Sequence, residues 1–426
     1  MAKLKSFYIT FANTNGVCYS GKELEGAVVL DLTTKYKVKE LRLRFRGYAL
    51  VHWTEHHSSG QGKSKRTVTK HYTGEELYFD HTVILFASGG DFCETLTAGE
   101  HKYPFEFQVP STCPTSHEGT WGRVRYEAVA TVEKMFGVGL STICGFTVIS
   151  PFDLNEDPRA RESITAENEM SLCCLCCKSG PISASLFLDS VGFVPGEGIP
   201  IRAEIANHSN RKIADMTASL QMIVKYYAVK KVRTHTNIIA SITKNDFVSE
   251  NSKLVKWSGD KLVVPVVPPS FVAGCHIIDI SYVLELIVNP AGPSFNLPVK
   301  MEVIIGTKPL KGAWETPVIS KNMPSRVPDP IGIEEDKYLE KNETLPSRMH
   351  ATTDNVNTGK STDSNGTANI EPTMTYVDCI LGSVDLVDND EFEDIPGPVN
   401  FTPKYTYYSL RDSQSSYSSP AKNWLT

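Results

Sequence analysis

The chain has 426 residues, with 43 Lys and Arg against 49 Asp and Glu and a formal net charge of -6. That length allows two or three domains with sizeable cores, and so small a net charge points neither to nucleic acid nor to a uniformly basic membrane surface as partner. The charge is unevenly placed: residues 311–426 hold 10 basic and 18 acidic residues, so an acidic tail follows a near-neutral body.

Residues 1–10 contain no apolar run long enough for a signal peptide. No apolar run anywhere approaches the roughly 18 residues needed to cross a bilayer. The ten cysteines do not form the spaced framework of a small secreted domain, and reduced thiols in the cytoplasm are expected.

In chain order, the dominant hydrophobic period is two, the signature of strands. Residues 17–23 end one run on an aromatic and turn at a Gly before a new alternating run begins. In residues 40–46 Leu41, Leu43 and Phe45 take one face and Arg42, Arg44 and Arg46 the other. Ser-Ser-Gly-Gln-Gly at 58–62 and Ala-Ser-Gly-Gly at 87–90 read as loops. Val124, Tyr126, Ala128, Ala130 and Val132 form another alternating set. The pattern lapses into charged and small residues from 153 to 178, which predicts a joint between two domains, with a linker at 156–178.

Beyond the joint, Val191 to Glu197 echo Val17 to Glu23, as two copies of one sandwich design would. Alternation then resumes at Ile199 to Ile205, Met216 to Val224, Ile278 to Val288 and Val299 to Ile305. Strands with one wet and one buried face suit antiparallel sheets packed in pairs. After Pro309 the alternation stops. Residues 320–370 are rich in Pro, Ser, Thr, Asn, Asp and Glu, and such a composition buries too little area to offset chain entropy. The expected architecture is all-β: a sandwich at 1–155, the linker, a second sandwich at 179–311, and a disordered acidic tail at 312–426.

Several segments resemble the arrestin-domain-containing proteins, the α-arrestins. They are Tyr19 to Gly26, Arg46 to Glu55, and Leu96 to Phe107 followed by Pro110, Pro114, Glu118-Gly119, Gly122 and Arg125-Tyr126. In the second half they are Ser179 to Ile182, Gly192 to Glu197, Asn207 to Ser209, Pro268-Pro269-Ser270 and Ile305 to Leu310. The resemblance implies two tandem arrestin-like (immunoglobulin-like) antiparallel β-sandwiches and adaptor work in endocytosis and sorting of membrane proteins. It implies membrane-protein cargo tails as partners, and recruitment from the cytoplasm to the plasma membrane or endosomes. It also implies HECT-type ubiquitin ligases, which the family engages when tail Pro-Pro-x-Tyr motifs dock on WW domains. This chain has no Pro-Pro-x-Tyr. Its nearest tail element is Phe401-Thr402-Pro403-Lys404-Tyr405, which makes Pro403 and Tyr405 a degenerate WW contact.

Other candidates come from the residues themselves. Cys173, Cys174, Cys176 and Cys177 lie within five residues, too close together to wrap one zinc ion easily. S-acylation that holds the protein at a membrane is one reading; structural thiols and a redox-coupled binding protein are the others. Lys63, Lys65, Arg66 and Lys70 form one basic cluster and Lys225, Lys230, Lys231 and Arg233 a second. Either could meet anionic headgroups or a phosphorylated cargo tail, though solvated charged strands look the same. Tyr407 and Leu410 fit a tyrosine-based sorting signal. A phosphate-cradling Gly loop, a nucleophile elbow and a His-Glu-x-x-His helix are all missing. The sequence therefore predicts no enzyme, no cofactor and no metal.

Overall fold

The computed structural model describes residues 4–12, 16–59, 66–89, 93–134, 139–174, 177–245, 252–313, 372–387 and 399–409. The first sandwich packs the sheet Leu4–Phe11, Glu23–Leu32, Gly99–Gln108 against a larger one. That second sheet runs Val17–Tyr19, Leu140–Ile149, Gly122–Glu133, Glu40–Ser59, Arg66–Ala87, with His117–Gly119 attached to Gly122–Glu133. The next sandwich pairs the sheet Ile164–Cys174, Cys177–Leu188, Arg202–Asn207, Ser252–Trp257 with Gly192–Phe193, Leu297–Ile305, Ile278–Pro290, Ile213–Ala228, Lys231–Lys244. The expected all-β class and the two sandwiches are both present.

Alternation decides which face each strand buries. Leu41, Leu43, Phe45, Ala49, Val51 and Trp53 all point into the core. Between them Arg42 pairs with Glu133, Arg44 Nε donates to Asp80 at 2.7 Å and Arg46 lies 3.8 Å from Glu75. The neighbouring strand Arg66–Ala87 has register shifts opposite Leu41/Arg42 and Gly47/Tyr48. The extra residues are Tyr78 and Leu85, and each shift breaks the alternation beside an exposed apolar side chain, Leu77 and Ile84.

The echo between the two halves is structural. Val17–Tyr19 runs parallel to Leu140–Ile149, and Gly192–Phe193 runs parallel to Leu297–Ile305. Each short strand turns at a glycine in the left-handed region, Gly21 at φ 75° and Gly196 at φ 93°, a conformation that a Cβ would strain. Each sandwich also closes a corner in the same way. Tyr126 Oη donates to Pro114 O at 2.7 Å, and Tyr282 Oη donates to Pro268 O at 2.6 Å. The Oγ atoms of Ser116 and Ser270 accept from Val148 N and Ile305 N, both at 2.9 Å.

Two expectations need correction. Residues 156–178 are not all linker: Ile164–Cys174 is a strand of the second sandwich, paired with Cys177–Leu188 from Ile164↔Leu188 to Cys174↔Cys177. It lies at the sheet's edge and is mostly exposed, so its sequence carries no alternating stripe. The joint that remains is tied down. Phe152 N donates to Thr307 Oγ1 at 2.8 Å, Leu154 and Ala160 are fully buried, and Asp157 caps a 3-10 turn at Pro158–Arg161. The tail likewise is not without structure throughout. Thr373–Asp378 pairs with Lys404–Ser409, and Val384–Asp385 with Asn400–Phe401. These pieces hold Tyr376, Leu386, Phe401, Tyr405 and Tyr408, so apolar and aromatic side chains offset the ordering cost that the polar stretch before them could not.

Removing the Tyr282 hydroxyl deprives the buried Pro268 carbonyl of its donor. Tyr282→Phe should therefore cost about 1–2 kcal/mol and lower the melting temperature by about 2–4 °C. Tyr126→Phe should do the same in the first sandwich. Unchanged melting in both variants, followed by differential scanning fluorimetry, would refute a structural role for these corners.

Candidate functional site

The side chains with most to contribute lie where the two sandwiches and the returning tail meet. One apolar cluster runs through both sandwiches without a break. On one side of this seam Trp121 is stacked edge-on by Tyr226 at 5.9 Å and by His235 at 5.1 Å, while the Arg233 guanidinium sits 3.7 Å over its ring. Lys231 pairs with Glu55 and lies 4.9 Å over the Tyr72 ring, and Glu76 accepts from both the backbone N–H and Nδ1 of His276. Cations over aromatic faces gain most where water is excluded.

Beneath this layer lies a buried polar group of residues. Arg125 donates to both oxygens of Glu118 at 2.8 and 3.0 Å, and the two side chains are only 1% and 7% exposed. A bidentate charge-assisted pair of this kind keeps its strength when buried because both ions are matched. His117, two residues along the chain from Gly119, is buried, and burial drives its pKa down to about 4. Neither ring nitrogen has a hydrogen-bond partner among the described residues.

The tail supplies the other side. Tyr405 is 2% exposed, and its Oη donates to Ser116 O of the first sandwich at 2.8 Å. Three residues on, Tyr408 Oη donates to Thr307 O of the second sandwich at 2.8 Å, and Tyr408 N donates to Pro195 O at 3.0 Å. Lys404 N donates to Thr147 Oγ1, Cys379 N to Pro403 O and Ile380 N to Val266 O. Leu386 and Phe401 pack on Ile143 and Val129. The tail is thus a strap that touches both sandwiches. Its approach is close enough that a Cβ on Gly196 would overlap the Tyr408 carbonyl oxygen. Burial pushes the Tyr408 phenol up to about 12 and Tyr405 well above its ordinary value. Both therefore stay protonated donors.

The candidate residues fall in different places. Pro403 and Tyr405 are both buried in the strap, not displayed on a free tail, so a WW domain has no access to them while the strap is docked. Tyr407 is half-buried opposite Thr375, and Leu410 lies outside the described residues. Cys173, Cys174 and Cys177 belong to the backbone of a hairpin; Cys176 lies outside the described residues. Lys63 and Lys65 also lie outside them, while Arg66 and Lys70 are exposed on Arg66–Ala87. The second basic cluster is divided: Lys225 and Lys230 are exposed, whereas Lys231 and Arg233 are engaged at the seam. Sequence reasoning missed Trp121, His117, the Arg125–Glu118 pair and the strap. Of these only the strap left a signal, the aromatic density at 401–408.

Residues 7–155 match the family model for the arrestin (or S-antigen) N-terminal domain, and residues 178–310 match the model for its C-terminal domain. Among curated proteins, the chain is 30% identical to human "Arrestin domain-containing protein 4" over 313 residues, 73% of each chain. It is 28% identical to "Arrestin domain-containing protein 17" of Caenorhabditis elegans over 323 residues, 72% of each. It is 26% identical to rat "Arrestin domain-containing protein 1", covering 77% of this chain and 72% of the other.

Two outcomes follow from the geometry. Gly196→Ala should loosen the strap, so limited proteolysis should cut within 399–409 several-fold faster than in the parent; equal cleavage rates would show that the close approach is unimportant. His117 binds its proton more weakly folded (about 4) than unfolded (6.5). The unfolded chain therefore takes up the extra proton between these values, and stability falls as pH drops from about 6.5 toward 4, by up to about 3 kcal/mol. His117→Gln should flatten that part of a plot of urea midpoint against pH, and an unaltered slope would assign the acid sensitivity elsewhere.

Proposed function

The chain belongs to the family of arrestin-domain-containing proteins, and on that premise we propose that it is a non-catalytic adaptor in the endocytosis and sorting of membrane proteins. It works in the cytoplasm, is recruited to the plasma membrane or endosomes, and links the cytosolic tails of its cargo to HECT-type ubiquitin ligases through WW domains. What supports this reading is the match of residues 7–155 and 178–310 to the two arrestin domains, and the placement of the Pro403–Tyr405 segment adds a control on it. Pro403 is buried, its carbonyl accepts from Cys379 N, and the Tyr405 ring is enclosed beside Val266 and Cys379. A WW domain grips the faces of both the proline and the tyrosine. Capture by a ligase and docking of the strap therefore compete for the same side chains.

Cargo recognition has other surfaces available. Arg66 and Lys70 are exposed on the long hairpin of the first sandwich, and Lys225 and Lys230 are exposed on the second. These cations suit an acidic or phosphorylated cargo tail, which they would meet by charge-assisted contacts. The described contacts of the strap involve none of the four. An adaptor of this design can hold cargo with its strap either docked or released.

The test compares a peptide of residues 395–412 with the intact chain, each titrated against WW domains of HECT-type ligases by fluorescence anisotropy. The free peptide should bind with micromolar affinity and lose it with Tyr405→Ala. The intact chain should bind at least about tenfold more weakly, equivalent to about 1.4 kcal/mol held in the docked strap. A peptide that binds no WW domain would remove this route to the ligase.

A further inference from the structure

A strand at the edge of an antiparallel sheet leaves every second N–H and C=O without a neighbour, and proteins guard such edges with charge, proline or a covering segment. Three long edge strands of this chain carry guards. Gly99–Gln108 has Glu100, Pro104 and Glu106. Ile164–Cys174 has Glu167 and Glu169, and Arg66–Ala87 has Glu75 and Asp80. Lys231–Lys244 differs from them. It closes the five-stranded sheet of the second sandwich, and among the described residues its one sheet partner is Ile213–Ala228. From Thr234 to Thr243 it contains no Asp, Glu, Lys, Arg or Pro, and it is rich in the β-branched residues that favour strands.

The two faces of this strand are used differently. Toward the core, Arg233 sits 3.7 Å over the Trp121 ring and His235 meets the same ring edge-on at 5.1 Å. The strand is thereby held in place, and the cations at its start are engaged at the seam. On the outer face Val232, Thr234, Thr236 and Ile238 are all exposed, Val232 at 51% and Ile238 at 66%. Among the described residues no other large apolar side chain on a strand is as exposed as Ile238. Ile239 is an extra residue that interrupts the pairing with Ile213–Ala228, so the regular edge is Lys231–Ile238, about 27 Å long. An ordered edge whose outer row is uncharged and partly aliphatic is a template for a further strand.

We infer that a second copy of this chain supplies that strand: two Lys231–Lys244 edges pair antiparallel about a two-fold axis at His235, joining two five-stranded sheets into one. The edge is complementary to itself in this register. Outer residues face outer residues across the axis, as the period of two demands. Val232 then lies opposite Ile238 and Thr234 opposite Thr236, and the symmetry makes each pair twice. Aliphatic and threonine pairs directly across from one another stabilise sheets. On the core side Arg233 lies opposite Asn237 and Lys231 opposite Ile239, so no lysine or arginine faces another. The uncharged outer row offers nothing to an acidic peptide, and the near-neutral body keeps repulsion between copies small. A single strand pair belongs to the small, transient class of interfaces, so the dimer should form in the micromolar range. Pairing does not depend on the adaptor reading; where both hold, one dimer presents two cargo surfaces and gains avidity on clustered cargo.

Sedimentation velocity of the purified full chain, from low micromolar to a few hundred micromolar, reads the association. Wild type should pass from monomer to dimer across that range. The variants T234K/T236K and T234E/T236E each set like charges across the axis. Each alone should weaken the dimer at least about tenfold at unchanged melting temperature. An equimolar mixture of the two should recover the dimer, because lysine then faces glutamate at all four positions. Ile238→Lys, at a site 66% exposed, gives a single-residue check if a double variant melts early. A wild type that stays monomeric throughout would overturn the proposal, as would a dimer that survives in every variant. Variants that dissociate but do not recombine on mixing would overturn the two-fold pairing. None of these variants alters residues 395–412, so a failure here is distinguishable from a failure of WW binding.

Discussion

Buried backbone carbonyls at two equivalent corners must each be given a donor, and much of the molecule is arranged around that requirement. In the first sandwich the corner spans Pro114 to Ser116, where Tyr126 serves the Pro114 carbonyl and Ser116 exchanges hydrogen bonds with Val148. The second sandwich repeats the arrangement with Pro268 to Ser270, Tyr282 and Ile305. In both, the serine ties the corner to the strand that pairs in parallel with the short strand near the domain's start. In the first corner the carbonyl of Ser116 accepts from Tyr405 of the tail. The strap therefore completes a hydrogen-bond arrangement that the sandwiches leave open, rather than lying on a surface that was already finished.

The same requirement explains why the seam is fixed from more than one side. The joint enters the second sandwich through Phe152 and Thr307, and the carbonyl of Thr307 then accepts from Tyr408. Across the seam Trp121 is enclosed by Tyr226, His235 and Arg233. Arg233 and Lys231 look in the sequence like part of a surface cation cluster. In the fold their alternation places them on the face of Lys231–Lys244 that turns toward the first sandwich, where aromatic rings and Glu55 take up the charge. Charge density in a sequence reports composition; which face the charges occupy decides whether they reach a partner.

Most of the fold was legible because strands with one wet face must alternate, and Glu40–Ser59, Gly122–Glu133 and Ile278–Pro290 do. The turn shared by Val17 to Glu23 and Val191 to Glu197 could be read from the two runs because a left-handed glycine was needed at the same place in each. Ile164–Cys174 was not legible, since a mostly exposed edge strand needs only a sparse apolar stripe, here Ala166 and Met170. The strap was obscured by averaging. The acidic count of the whole tail hides a stretch in which Leu386, Phe401, Tyr405 and Tyr408 are concentrated. Contacts such as Trp121 to Arg233 have no periodic signature at all, because the partners lie on different domains and only the packed seam brings them together.

The strap is held by contacts that are specific but few: two tyrosine hydroxyls, a handful of backbone hydrogen bonds and small apolar clusters. The hairpin of Ile164–Cys174 and Cys177–Leu188 extends past its last sheet neighbour, Arg202–Asn207, on strand pairing alone. Both segments are anchored on sandwiches that share one continuous apolar cluster.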